Sequence, residues 1–299
     1  MVFSSILFLL FFLPALFLLY FCIPKRFRAV RNLVLLAFSL LFYACGGTDY
    51  LPILLSSIIV NYLCGLLTAQ ERPTALRRIG LWAAVAFGLG MLAWFKYAGF
   101  FVSNLRTLGL DIAVPQIVLP IGISFFTFQG LSYVIDVYRG HAVCQRNPFY
   151  VALYVALFPQ LVAGPIVRYS TVDREITRRD ESLPEFSQGV MRFLFGLGKK
   201  MLLANAMAEI ADGVFALSPL LLTASQAWIG AIAYTFQIYF DFSAYSDMAI
   251  GLGRMFGFHF EENFNYPYVS RSVTEFWRRW HISLSSWFRD YVGLTEKVA

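Results

Sequence analysis

Charge is scarce in this chain of 299 residues: Asp, Glu, Lys and Arg together make up 14% of it, and 59% is hydrophobic. An ordinary soluble domain carries roughly a quarter of its residues charged, so that class is excluded. Histidine is scarcer, with only His141, His259 and His281, none at the spacing of a helical metal pair. No metal site is expected. Cys22, Cys45, Cys64 and Cys144 lie far apart with no Cys-x-x-Cys pair, which implies neither a disulfide framework nor a zinc site and leaves them as small apolar residues. There is no phosphate-binding or dinucleotide glycine motif, no low-complexity tract and no repeat of about 20 to 50 residues.

What is present is hydrocarbon and rings, with 31 Phe, 16 Tyr and 6 Trp. This is the composition of packed helices with aromatic belts at two membrane interfaces. The expectation is an all-α, polytopic integral membrane protein forming one domain over residues 1–299. A net charge of +6 fits Lys- and Arg-rich cytoplasmic loops beside anionic lipid, and gives no separate reason to invoke nucleic acid.

Val2 to Ile23 is apolar for long enough to span, and the basic cluster Lys25, Arg26, Arg28 and Arg31 follows it rather than precedes it. It reads as a retained anchor with its N-terminus outside, not as a cleaved signal. Further spans are expected at Leu33 to Ala44, Leu51 to Ala69, Ile79 to Ala98 and Leu119 to Tyr138, with a polar loop from Ser103 to Pro115. Pro148 to Val167 breaks the alternation, because basic loops flank it on both sides. Pro159, Gly164 and Pro165 predict a broken or re-entrant element, and non-helical backbone at membrane depth is tolerated only inside protein or beside a cavity. Boundaries between 186 and 222 stay open. Ala227 to Gly253 is a clear span carrying Asp241 and Asp247. Carboxylates there are costly: they mark function or a polar partner, with Ser243 and Ser246 as interhelical glue the alternative.

The chemistry concentrates in NFNYPYVSRSVTEFWRRWHISLSSWFRDY, Asn263 to Tyr291. A helical wheel puts Phe276, Trp280, Leu284, Trp287 and Tyr291 on one face and Arg278, His281, Ser285 and Arg289 on the other. One amphipathic helix is predicted, capped by Ser272 or Thr274 after Pro267. Its imidazole, between guanidinium groups that favour the neutral ring, is a candidate general base for a hydroxyl. The competing reading is a helix lying in the membrane interface.

The phrases LPIGISFFTFQGLSYVIDVYRG, LFPQLVAGPIVR, YFDFSAYSDMAIGLG and ENFNYPYVSRSVTEFWRRWHISLSSWFRDY, in this order, resemble the membrane-bound O-acyltransferase family. The similarity is closest to its alginate O-acetyltransferase branch and extends to its D-alanyl-transferring branch. The resemblance implies a helical bundle pierced by a tunnel, multi-pass in the bacterial inner membrane. In it an acyl thioester such as acetyl-CoA, with no bound cofactor, would donate from the cytoplasm. An extracytoplasmic partner protein would carry the acetyl group to an exopolysaccharide such as alginate.

By the same resemblance His281 is one of two histidines of the active site, with Asp241, Asn265 and Arg278 at motif positions lining it; Ser285, on the same polar face as His281, completes the site-lining set. The family continues past Tyr291 into a span bearing the second histidine, whereas here VGLTEKVA follows with no histidine. The expectation is therefore a fragment or truncated product lacking the C-terminal helices, poorly stable and weakly active alone. A transporter or flippase would show corresponding broken helices in two halves, which the sequence does not; a non-catalytic scaffold of an exopolysaccharide complex would not need His281.

Overall fold

The computed structural model describes residues 1–109, 117–218 and 222–292. Helix is the regular structure found there, without a strand among the described residues. The helices are α1 (Leu13–Cys22), α2 (Arg28–Ala44), α3 (Leu51–Thr68), α4 (Thr74–Leu92), α5 (Ala98–Thr107), α6 (Ile123–Arg139), α7 (Pro148–Ala156), α8 (Phe158–Leu161), α9 (Tyr169–Thr177), α10 (Leu183–Gly198), α11 (Asn205–Phe215), α12 (Ala224–Met255), α13 (Val273–Arg279) and α14 (Ile282–Trp287). Among the described residues, two helical stretches, Thr48–Thr68 and Thr74–Thr107, are long and apolar enough to cross a membrane. Large apolar side chains stand exposed on many helices, among them Leu10, Leu18, Trp82, Phe100, Leu202 and Trp228. Surface of that kind suits contact with hydrocarbon rather than water.

The chain forms two compact units. One comprises 16–162 and 166–178. In it α3 packs on α4 and α6, and α2 packs on α7. Helix α2 starts at Arg28, ahead of the expected Leu33, so part of the basic cluster belongs to the helix. Arg31 is buried there, donates to the Ile23 carbonyl at 2.6 and 2.9 Å, and lies over the Tyr20 ring. Helix also continues through Ser103 to Thr107, where a loop is expected from the sequence; residues 110–116, which include the end of that loop, lie outside the described residues, as do 219–221 and 293–299.

The break foreseen between Pro148 and Val167 is present. Helix α7 stops at Ala156, Leu157 leaves helical geometry, one turn of α8 follows, and Ile166 and Val167 run non-helical while still buried. Interrupting a buried helix strands backbone polar groups, which must find other partners. Side chains provide them. Ser39 Oγ accepts from the Phe158 amide at 3.1 Å, Gln160 Nε2 donates to the Tyr154 carbonyl at 2.5 Å, and the Tyr154 hydroxyl donates to the Val167 carbonyl at 2.9 Å.

The other unit comprises 1–15, 163–165 and 179–299. Its frame is α10 against the 32-residue α12, with α11 alongside. Thr223 starts α12 with a capping box, its side chain accepting from the Gln226 amide while Gln226 reaches back. The α10–α12 approach is close because glycine lines it. A Cβ at Gly251 would lie 2.6 Å from the Gly189 carbonyl oxygen, and one at Gly196 would lie 2.7 Å from that of Ala244. Gly251→Ala should therefore lower thermal stability in detergent by about 1–3 kcal/mol through overpacking; an unchanged unfolding midpoint would contradict this account of the contact.

Candidate active site

The close approach of α10 to α12 brings charge together. After Gly198 the chain makes a π-helical turn, Lys199–Ala204, a local widening often found at functional sites. Lys199 Nζ lies 2.5 Å from one Asp247 oxygen, and Arg192 lies 2.6 Å from the other and 2.5 Å from Glu262. The neighbouring Lys200 meets Asp241 at 2.8 Å. Both acids of α12 thus have cationic partners. Asp247 is buried, whereas the Asp241 side chain is 47% exposed.

Beside these groups is a cleft of about 790 Å³. Arg192, Lys199, Asp247, Glu262, Asn263 and Asn265 give it polar walls, with Phe195, Tyr239 and Phe264 among the apolar ones. Its volume is in the range of small-molecule sites, and its walls are more polar than the usual apolar pocket.

The expected single amphipathic helix is not formed. Helix α13 ends at Arg279, Trp280 is extended, and His281 takes the left-handed conformation at φ 44° before α14 begins. The cause is tertiary. The amide of Ile282, which a continuous helix would direct four residues back, donates instead to the Asn263 carbonyl at 3.0 Å, and the Arg279 carbonyl accepts from the Asn265 amide at 2.9 Å. Trp280 turns into an aromatic group with Phe264, Phe276 and Tyr268. At the start of α13 it is Ser272, of the two expected caps, that serves: its Oγ accepts from the Glu275 amide at 3.1 Å.

The break therefore re-aims the imidazole. His281 is buried, not set on an exposed arginine face. Its ring meets Phe242 edge-on at 4.7 Å, and Nδ1 lies 3.1 Å from Asn263 Oδ1. That oxygen also accepts from the Ser283 amide at 3.2 Å and the Ser283 hydroxyl at 2.9 Å, while Asn263 Nδ2 donates to Ser246 Oγ at 3.0 Å. Burial lowers the pKa of the imidazole from 6.5 to about 4. The neutral ring was expected; desolvation, rather than guanidinium charge, is what favours it. A left-handed non-glycine residue costs conformational energy that surrounding contacts must hold in place, and such residues cluster at working sites.

Residues 141–292, just over half of the chain, match the sequence model described as MBOAT, membrane-bound O-acyltransferase family. The chain belongs to the membrane-bound O-acyltransferase family. It is 48% identical to a probable alginate O-acetylase, AlgI, of Azotobacter vinelandii, over 99% of this chain and 59% of that protein. It is 35% identical to a peptidoglycan O-acetyltransferase of Helicobacter pylori, over 98% of this chain and 61% of that one. Over 58% of this chain it is 30% identical to a teichoic acid D-alanyltransferase of Bacillus subtilis. The chain thus spans about three-fifths of the length of the first two relatives.

For this family member the structure sorts the residues that sequence singled out. Asn265 is exposed and lines the cleft. His281 adjoins the lining through its hydrogen-bond partner Asn263 and its chain neighbour Ile282, both of which belong to it. Asp241, Arg278 and Ser285 are outside that lining among the described residues: Asp241 pairs with Lys200, Arg278 is exposed, and Ser285 donates its amide to the His281 carbonyl at 3.1 Å. Asn263, Lys199 and Arg192 are the additions, while of the two carboxylates singled out in α12 it is Asp247 that lines the cleft. Asn263 stood two residues from the chosen Asn265 in NFN, and periodicity gives no sign of which asparagine turns inward.

The lowered pKa sets a pH dependence. Between pH 6.5 and about 4 an unfolded chain holds a proton on His281 that the folded one does not. Stability should therefore fall as pH drops through this window, and His281→Gln should flatten that fall, read as thermal unfolding in detergent at a series of pH values. An identical slope in the variant would remove His281 as its source.

Proposed function

We propose that these residues form the histidine-bearing part of an O-acyltransferase centre in a multi-pass protein of the bacterial inner membrane. The acyl group is acetyl, the donor a cytoplasmic thioester such as acetyl-CoA, and the final acceptor an exopolysaccharide such as alginate, reached through an extracytoplasmic partner protein. The observation that carries the reading is a buried, neutral imidazole held by Asn263 next to a polar cleft. The printed names of the relatives from Azotobacter vinelandii and Helicobacter pylori support the acetyl group and a glycan acceptor.

In this reading the imidazole takes the proton of an acceptor hydroxyl as its oxygen bonds to the thioester carbonyl carbon. The carbon–sulfur bond then breaks, and the leaving thiolate recovers that proton. A neutral ring is the form able to accept it.

The test uses the protein as produced from its own gene, in inside-out membrane vesicles supplied with radiolabelled acetyl-CoA. Protein-dependent appearance of labelled ester on the lumenal side supports the reading. Label that stays outside, or accumulates equally without the protein, overturns it, and unaltered lumenal labelling in His281→Gln would remove His281 as the base.

A further inference from the structure

We infer that Asn263 is the positioning residue that fixes the His281 tautomer, holding the proton on Nδ1 and leaving Nε2 as the basic nitrogen. The inference deepens the acyltransferase reading and rests on it for its catalytic consequence, whereas the tautomer is argued from the partners of Nδ1.

Amide oxygen and nitrogen have the same shape, so the orientation of Asn263 must be argued from its partners. The Ser283 backbone N–H is only a donor, and it lies 3.2 Å from Asn263 Oδ1. The atom facing it must therefore be the oxygen. The amide nitrogen then points the other way and donates to Ser246 Oγ on α12 at 3.0 Å. With the oxygen so fixed, His281 Nδ1 at 3.1 Å faces an acceptor; the Ser283 hydroxyl, 3.5 Å from Nδ1, spends its hydrogen on the same Oδ1 at 2.9 Å, so Nδ1 carries the hydrogen. In a neutral ring the proton can occupy only one nitrogen, so Nε2 holds the lone pair.

The arrangement is stiff as well as directional. Asn263 and Ser283 are buried at 0% and 2% exposure, and Ser283 Oγ donates to the same Oδ1 at 2.9 Å. Asn263 also binds the chain at the His281 break through its own carbonyl, which accepts from the Ile282 amide. One residue thereby holds both the backbone that turns the imidazole inward and the atom that selects its tautomer. An amide does this without charge, in contrast to a carboxylate, which would favour the imidazolium form.

The experiment is ¹⁵N NMR of the histidine-labelled protein in detergent near neutral pH, with the His281 signals identified by their loss in His281→Gln. The expected result is a neutral ring protonated at Nδ1. A ring protonated at Nε2, or on both nitrogens, would overturn the proposal without any reference to activity. In Asn263→Leu the ring should redistribute towards the Nε2–H form, and kcat for acyl transfer should fall about 10²-fold while KM changes little. Ser246→Ala keeps Oδ1 and its donors and should retain the Nδ1–H tautomer; a tautomer change there would show that Asn263 is not what fixes it. If the Nδ1–H form is found but His281→Gln transfers acyl groups at the normal rate, the tautomer assignment stands and the acyltransferase role of His281 falls.

Discussion

Replacing His281 by Gln in the protein made from its own gene should reduce acyl transfer by about 10²- to 10⁴-fold, the usual contribution of a positioned general base. The expected loss lies in kcat, because proton removal by a general base is an interaction made in the transition state. A companion variant separates chemistry from backbone conformation. At φ 44° glycine fits without the penalty a side chain meets, so His281→Gly should fold at least as readily at this position and still be inactive. An active His281→Gly protein would assign the loss in other variants to conformation, and the general-base role would be gone.

Asp247→Ala should destabilise the protein by about 3 kcal/mol, measured as thermal unfolding in detergent. Removing one partner of a buried pair leaves the remaining charge uncompensated, which typically costs about 3–5 kcal/mol. The low end applies because the cations keep some access to solvent, with side-chain exposures of 22% for Lys199 and 36% for Arg192. Asp241→Ala provides the contrast. Its carboxylate is 47% exposed beside Lys200, and an ion pair of that kind contributes about 1 kcal/mol or less. Equal effects from the two substitutions would mean that burial does not separate these acids.

The two acids also show where a sequence stops being informative. Both stand six residues apart in the same apolar run, so hydropathy treats them alike. Their partners come from Arg192, Lys199 and Lys200, about 40 to 55 residues earlier in the chain, and only the glycine-lined packing of α10 on α12 brings these within reach. The same limit governs the helix at His281. Of the two caps the sequence offers, Ser272 and Thr274, Ser272 is used, and both were legible because capping is decided by neighbours three residues away. The wheel failed eight residues later, where the backbone of Asn263 and Asn265 takes over the bonds of a continuous helix.

What the sequence determined by itself is what short-range chemistry decides. Apolar runs without competing charge dictate helices, Pro159, Gly164 and Pro165 interrupt one of them, and phrases matching in order identify the family. Tertiary structure decided the rest. Which asparagine faces the imidazole, which acid is buried, and that His281 turns inward in a left-handed break all depend on groups distant in sequence, whose hydrogen bonds and packing outweigh local helical preference.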